Sequence, residues 1–503
     1  MAIQLDRHRL LTRRPVLPSC RMERLPCEPL ATYVLIAAVV SLPLSAAADA
    51  LVQATAEASS IHVRPELAVA APQLTAREEG TAPDVPAAAQ EPKDERFAVH
   101  FQSTVATQWH PSFSARYSGA NSMRPGEESA TSIVTDLFAG ARLWKGAEVY
   151  FQPELAGGRG LSSTLGVAAF PSGEVYRVGD PAPTVIVGRA FLRQVIGIGG
   201  GAIQTDPGPN ELAGKRDRDA LTITVGKIAT TDFVDRNPLA SDPHTGFMSW
   251  GLWASAAYDY PADTRGYTYG LTADLSIDWW SARAGVFLEP KVANGMDLEW
   301  DVFRARGLVG ELEARYSLAG LPGAARVLAF VNTAHMGSYE QALRESPVAP
   351  DVTATRASGR TKAGFAASAN QDLGGGLGAF LRLSYNDGQN ESWAFTAIDR
   401  SIAFGSVQSG SRWGRPDDEA GVALVVSGLS DEHHRYLAAG GLDFIIGDGA
   451  LSYSAEILGE MYYRFALTHE IALGVNYQPI FHPAFNSDRG PIHVFTGRVH
   501  VAF

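Results

Sequence analysis

Arg189 and Arg193 stand four residues apart, and Glu148 and Glu154 six apart, in stretches where polar and apolar residues alternate. On an extended chain with a two-residue period, each pair shares one face. Arg142, Arg283, Arg382, Arg464 and Arg498 fall on polar rows of the same kind. Guanidinium and carboxylate groups make charge-assisted hydrogen bonds with hydroxyls. Opposed rows of the two signs also set a field across any opening between them. Trp144 and Tyr150, beside the glutamates, add flat faces for stacking. Catalytic patterns are weaker. Neither a Gly-x-Ser-x-Gly elbow nor a His-Glu-x-x-His pair occurs. GIGGGA (Gly197–Ala202) has the glycines of a nucleotide loop, but no helix pattern or suitably placed acid follows. DEHHR (Asp431–Arg435) reads as a polar loop, since neighbouring histidines on a strand point to opposite faces and cannot share a metal.

The elements that must position these groups are strands. In FAVHFQSTVATQW, Phe97, Val99, Phe101, Val105 and Trp109 alternate with polar residues. AEVYFQPEL sets Val149, Phe151 and Leu155 against Glu148, Tyr150, Gln152 and Glu154. The same period recurs at Leu221–Val225, Tyr267–Ile277, Trp280–Leu288, Leu308–Tyr316 and Leu377–Tyr385. A soluble sheet would show such alternation too. Here the segments run about ten residues, aromatic residues cluster near their ends, and one face is charged while the other is Ala, Val, Leu and Phe. That combination predicts an all-β protein, a transmembrane antiparallel β-barrel with lipid outside, water inside and aromatic girdles at the interfaces.

Because lipid satisfies no backbone group, the sheet must close on itself. The last strand, HVFTGRVHVAF, ends in Phe503 and supplies that closure. Its row of Phe495, Val499, Val501 and Phe503 is expected to face lipid and to serve as the membrane-insertion signal read by barrel-assembly machinery. Sixteen strands give roughly 25 residues per strand and connection, though fourteen or eighteen fit nearly as well. RPGEES, TDPGPNELAGKRDRD and ESPVAPDVTATRASGRT read as long loops, and Asp387-Gly388 and Asp448-Gly449 as turns.

Composition agrees. The chain has 503 residues, 46% hydrophobic and 19% charged, enough to fold around a large core. A net charge of −12 without a basic stripe excludes a nucleic-acid binder. Six arginines from Arg7 to Arg24 precede the apolar Leu30–Leu44 and an SAAADA site, which predicts a signal peptide over 1–48, cleaved near Ala48. Cys20 and Cys27 lie ahead of that apolar segment rather than at its end, against lipidation. Residues 49–96, rich in Ala, Pro and Glu, read as a flexible extension, and 97–503 as the barrel.

Several stretches resemble one family, the carbohydrate-selective outer-membrane porins (OprB-type). They begin with WHPSFSARYSGANSM and LWKGAEVYFQPELAGGRGLSSTLGVAAFPSGEV, and continue through RAFLRQVIGIGGG, VGKIATTDFVDRNPLASDPHTGFMSW and DYPADTRGYTYGL. PKVANGMDLEWD, YNDGQNESWAFTAIDRS, RWGRPDD and NSDRGPIHVFTGRVHVAF follow in the family's order. AAFPSGEV departs from the pattern at Ala169 and Ser172, where a Gly and an Asn are expected. The resemblance covers Phe97 to Phe503 and implies a sixteen-stranded outer-membrane barrel for passive, substrate-selective diffusion of sugars, monosaccharides such as glucose, without cofactor or metal. Arg142, Glu148, Glu154, Arg189, Arg193, Arg283, Arg382, Arg464 and Arg498 are then pore-lining candidates, with Trp144 and Tyr150 for stacking. A general or anion-preferring porin, suited by inward arginines, and an outer-membrane barrel hydrolase are the competing readings. A homo-oligomer is left open.

Overall fold

The computed structural model describes residues 94–176 and 181–503. The expected signal segment 1–48, and all but 94–96 of the extension 49–96, lie outside the described residues.

Sixteen strands form one closed antiparallel barrel, each paired with its sequence neighbours and β1 with β16. They are β1 (Phe97–His110), β2 (Glu128–Trp144), β3 (Ala147–Gly158), β4 (Thr184–Thr205), β5 (Gly214–Ile228), β6 (Thr268–Ile277), β7 (Trp280–Phe287) and β8 (Arg306–Leu318). The other half is β9 (Leu321–Ala334), β10 (Arg360–Asp372), β11 (Leu377–Asn386), β12 (Arg400–Ser409), β13 (Glu419–Gly428), β14 (Glu456–Ala466), β15 (Ile471–Phe481) and β16 (Ile492–Ala502). No helix among the described residues is long and apolar enough to cross a membrane.

The seam is closed by register and by aromatic packing. Trp109 opposes Phe495 and Val105 opposes Val499. The Phe101 amide donates to the Phe503 carbonyl at 2.7 Å, and the Phe503 amide donates back at 2.9 Å. Ring pairs Phe101–Phe503 and Trp109–Phe495, with centroids 5.0 and 5.5 Å apart, brace both ends of the seam. Phe495, Val499 and Phe503 are exposed on the outer wall, with Val501 half-buried in the same row. Along β3 the outer row is Val149 and Phe151, while Glu148, Tyr150, Gln152 and Glu154 are buried on the lumen side.

Connections alternate in length, as is usual in membrane-spanning antiparallel barrels. At one end β2–β3, β6–β7 and β8–β9 are joined by two residues each, 145–146, 278–279 and 319–320. At the other, segments 111–127, 229–267, 335–359 and 429–455 are long and fold over or into the barrel. Four sequence expectations change here. Asp387-Gly388 and Asp448-Gly449 sit inside long loops rather than at hairpin tips. TDPGPNELAGKRDRD is not a long outer loop: its last six residues belong to β5, and its connection lies at the short-turn end. Tyr267 precedes β6 and is buried inside, off the lipid row that alternation gave it, because its hydroxyl donates to the Glu154 carboxylate. DEHHR opens a short helix, Asp431–Ala438, capped by the Ser430 hydroxyl accepting from the His433 amide.

His433 on that helix is buried between two aspartates, Nδ1 2.9 Å from Asp399 and Nε2 3.1 Å from Asp443, with Tyr339 stacked on its ring at 4.3 Å. The ion pair ties loops 387–399 and 429–455 together, and the Tyr339 ring joins loop 335–359 to them. Burial alone would lower the imidazole pKa, but the Asp399 and Asp443 carboxylates together outweigh it and raise the value to about 9. A histidine held above its unfolded value contributes stability that is complete below about pH 6.5 and is lost as pH rises through about 9. The unfolding temperature of the barrel is therefore expected to fall between pH 7 and 10, and His433→Gln is expected to flatten that decline in a thermal scan.

Candidate functional site

The lumen wall is lined with charge, and most of it is paired. Across β6 to β9, Arg283 bonds Asp274 at 3.0 Å and Glu311 at 2.7 Å, while Arg326 bonds Glu313 at 2.8 Å. Period-two strands create this ladder, since Asp274 opposes Arg283, Arg283 opposes Glu311, and Glu313 opposes Arg326.

Loop 229–267 threads the lumen and takes its anchors from strands far apart in the chain. Arg382 on β11 is 1% exposed and reaches Asp235 at 2.6 Å, the Ser241 hydroxyl and the Trp253 carbonyl. Arg498 on β16 donates to the carbonyls of Pro243, Thr245 and Gly246 at 2.7–3.2 Å. Glu460 on β14 accepts from the amides of Met248 and Ser249 at 2.8 and 3.0 Å. Asp259 takes the amides of Trp393, Ala394 and Phe395 and lies 3.5 Å from the Lys362 ammonium on β10. Glu456, four residues before Glu460 on the same face of β14, likewise holds the amides of Ala168 and Ala169, so the segment after β3 also folds inward. Phe170, Trp250, Trp253, Tyr260 and Phe395 pack between these segments with centroids 4.5–5.7 Å apart. Backbone groups removed from water need such partners, and the strand carboxylates and guanidinia supply them.

Facing the loop across β2 to β4 is a second cluster. Arg189 forks onto Asp232 at 2.6 and 2.8 Å and donates to Gln152 at 2.8 Å, with its guanidinium 5.2 Å from the centre of the Tyr267 ring. Gln152 in turn donates to Asp136 at 2.7 Å, and Gln102 does so at 2.8 Å. Arg189 and Asp232 keep 18% and 32% of their side chains exposed, so lumen water reaches them. On the outer side of this cluster a cavity of about 300 Å³, lined by Arg159, Ser163, Thr164, Glu174 and Tyr176, sits at the lower end of small-ligand volumes. Glu174 pairs there with His244 of the long loop at 2.8 Å. The Arg265 guanidinium lies 5.5 Å from the Tyr176 ring centre.

The remaining sequence candidates sit lower. Arg142 and Glu148 pair across β2 and β3 at 3.1 Å. Arg193 bonds Glu211 at 2.7 Å and stacks over Tyr150 at 4.9 Å, whose hydroxyl donates to Glu148. Arg464 lies 3.9 Å from Glu419 towards the short-turn rim. Trp144 is the one candidate off the lumen row: a bulge after Arg142 moves it to the rim, 59% exposed, where its indole donates to Gln194. Asp232, Asp235, Glu174 and His244 were not among the candidates, because loops carry no periodicity to mark a face. Among the described residues no group of three or more His, Cys, Asp or Glu is placed to hold a metal.

Arg382→Met removes the guanidinium from a buried carboxylate, a loss of about 3–5 kcal/mol for pairs of this kind. The expected outcome is a lower unfolding temperature and faster proteolysis within 229–267. Adding Asp235→Asn, which removes the stranded charge, is expected to restore part of the loss.

Comparison with known proteins follows this geometry. The model of the carbohydrate-selective porin family, OprB, matches residues 120–503. Pseudomonas putida OprB, solved at high pH, superposes with a TM-score of 0.62 at 17% identity, over 81% of this chain and 94% of that one. The Acinetobacter baumannii channel DcaP gives 0.45 at 10% identity, covering 81% and 97%. Pseudomonas aeruginosa OccK8 (OprE) gives 0.41 at 8%, covering 81% and 98%. None of the curated proteins matches. With the family match running through a closed sixteen-stranded barrel whose lumen is polar and whose outer wall is apolar, the chain belongs to the OprB family of carbohydrate-selective porins, channels of the outer membrane.

Proposed function

We propose that the channel passes monosaccharides such as glucose, selected where loop 229–267 approaches β2–β4. The observation that carries this reading is the pairing of the arginines. Arg189 with Asp232, Arg193 with Glu211, Arg283 with Glu311 and Arg382 with Asp235 each hold a carboxylate, so these four guanidinia present no free positive charge to an anion. Where such a pair is still exposed, as at Arg189 with Asp232, it retains donors and acceptors, and the half-buried ring of Tyr176 lines the cavity beside it. That suits a neutral solute with hydroxyls around its edge and an apolar ring face. Weak, multi-site contact of this kind lets a solute enter and leave, as conduction needs. The solute runs down its gradient, so neither cofactor nor energy coupling is required.

Export through a cleaved segment 1–48 and recognition of the Phe495–Phe503 row by assembly machinery belong to the same proposal. The intact mass of barrel extracted from outer membranes is expected to place the first residue near Asp49.

Single channels of the mature protein in planar bilayers, titrated with glucose, maltose and a non-sugar of similar size, test the sugar reading. Saturable block by glucose is expected. Arg189→Ala or Tyr176→Ala is expected to raise the half-blocking concentration about tenfold, equivalent to about 1.4 kcal/mol. Conductance indifferent to every sugar means a general porin; none from a folded barrel reopens the hydrolase.

A further inference from the structure

β4 and β5 outrun their neighbours. β3 begins where Ala147 opposes Gln194, and β6 ends close to the Ala220–Ser276 pair. The hairpin beyond Gly197 and Asp219 therefore has no strand on either side. A straight hairpin would stand free in the periplasm, at the short-turn end. It bends back instead, at the glycine run. Register shifts occur at Gly197/Gly199 and Gly199/Ala202, and Gly199, Gly200 and Gly201 take φ of +119°, +77° and +88°, conformations that residues with a Cβ avoid.

The tip then enters the barrel mouth. Leu212 is 1% exposed against the lumen side of β2, where a Cβ on Gly140 would meet it at 3.4 Å. Arg193 holds Glu211 at 2.7 Å and the Asn210 carbonyl at 3.0 Å, and Arg142 donates to the Ala213 carbonyl at 3.3 Å. Asn210, with φ of +56°, donates from Nδ2 to Gln152 Oε1 at 3.2 Å. That same oxygen accepts from Arg189 at 2.8 Å, so the tip reaches the floor of the cluster that faces the long loop. Asn210 Oδ1 is buried and has no partner among the described residues, while the Glu211 side chain keeps 30% of its surface.

We infer that the β4–β5 tip, residues 208–213, is a second filter on the periplasmic side of the channel, where Glu211, set in place beside Asn210, meets the sugar after it passes Arg189. This rests on the reading of the lumen as a sugar path. In a straight hairpin these groups would lie well outside the mouth. The bend sets them in the path, and the Arg193 and Arg142 contacts keep them there.

Asn210→Cys tests it in the mature barrel, since no cysteine follows Cys27 in the chain. A sulfonated methanethiosulfonate added on the short-turn side is expected to cut single-channel conductance by about half or more, because bulk at a constriction governs flux. Saturating glucose is expected to slow that modification. In parallel, Arg193→Met with Glu211→Gln releases the tip, and conductance is expected to rise at least ~1.5-fold. Gel mobility of the unheated barrel verifies folding of both variants. Full labelling without a change in conductance overturns the inference, as does an unchanged conductance on release of the tip. Wild-type channels that glucose never blocks would remove the sugar reading, while the two conductance results still decide whether the tip narrows the pore.

Discussion

Lipid offers no partner to a peptide group, so a strand in the membrane must be bonded on both sides. The exchange of hydrogen bonds between Phe101 and Phe503 completes that requirement, because it joins the last strand to the first. Everything else in the molecule is placed by the closure. Once the sheet is a cylinder, alternate residues face lipid or lumen, and every polar row is carried inward. The outer wall then needs only apolar bulk, which explains its Val, Leu, Phe and Ala. The lumen must hold Arg, Glu and Asp at close quarters.

Those lumen charges serve structure as much as solute. A loop drawn into the barrel loses water from its backbone, and each lost contact has to be replaced. Glu456 and Glu460 replace it from the wall for amides, and Arg382 and Arg498 for carbonyls, while Asp259 of the long loop does so for the amides of Trp393 to Phe395. The channel is thus narrowed by segments whose positions are fixed from the wall, at points spread from β10 to β16. In the proposed sugar reading, selection falls to what remains after this anchoring, groups such as Arg189 and Asp232 that are paired and still exposed. A charge pair in contact with water offers a sugar hydrogen bonds without offering an ion a net field.

Much of this was legible in the residues. Alternation marked Glu148, Glu154, Arg189, Arg283, Arg382 and Arg498 as facing one side, because a strand's two-residue period needs no tertiary information. Pairing was not legible. Arg382 and Asp235 are 147 residues apart, and nothing in either neighbourhood names the other. Alternation also fails where a strand has not begun, as at Tyr267, or where a bulge resets it, as at Trp144. Asp-Gly pairs mislead for a similar reason, since a tight bend is as useful inside a long loop as at a hairpin tip.

The sequence by itself determined the class of wall, its amphipathic strands, its aromatic closing strand and the family to which it belongs. These follow from local periodicity and from motifs read in order. Only the tertiary structure decided which segments enter the lumen, which charges they consume, and that a glycine run turns the β4–β5 hairpin back into the mouth. Such outcomes depend on contacts between strands remote in the chain, and on backbone groups finding partners once water is gone. Neither leaves a local pattern to read.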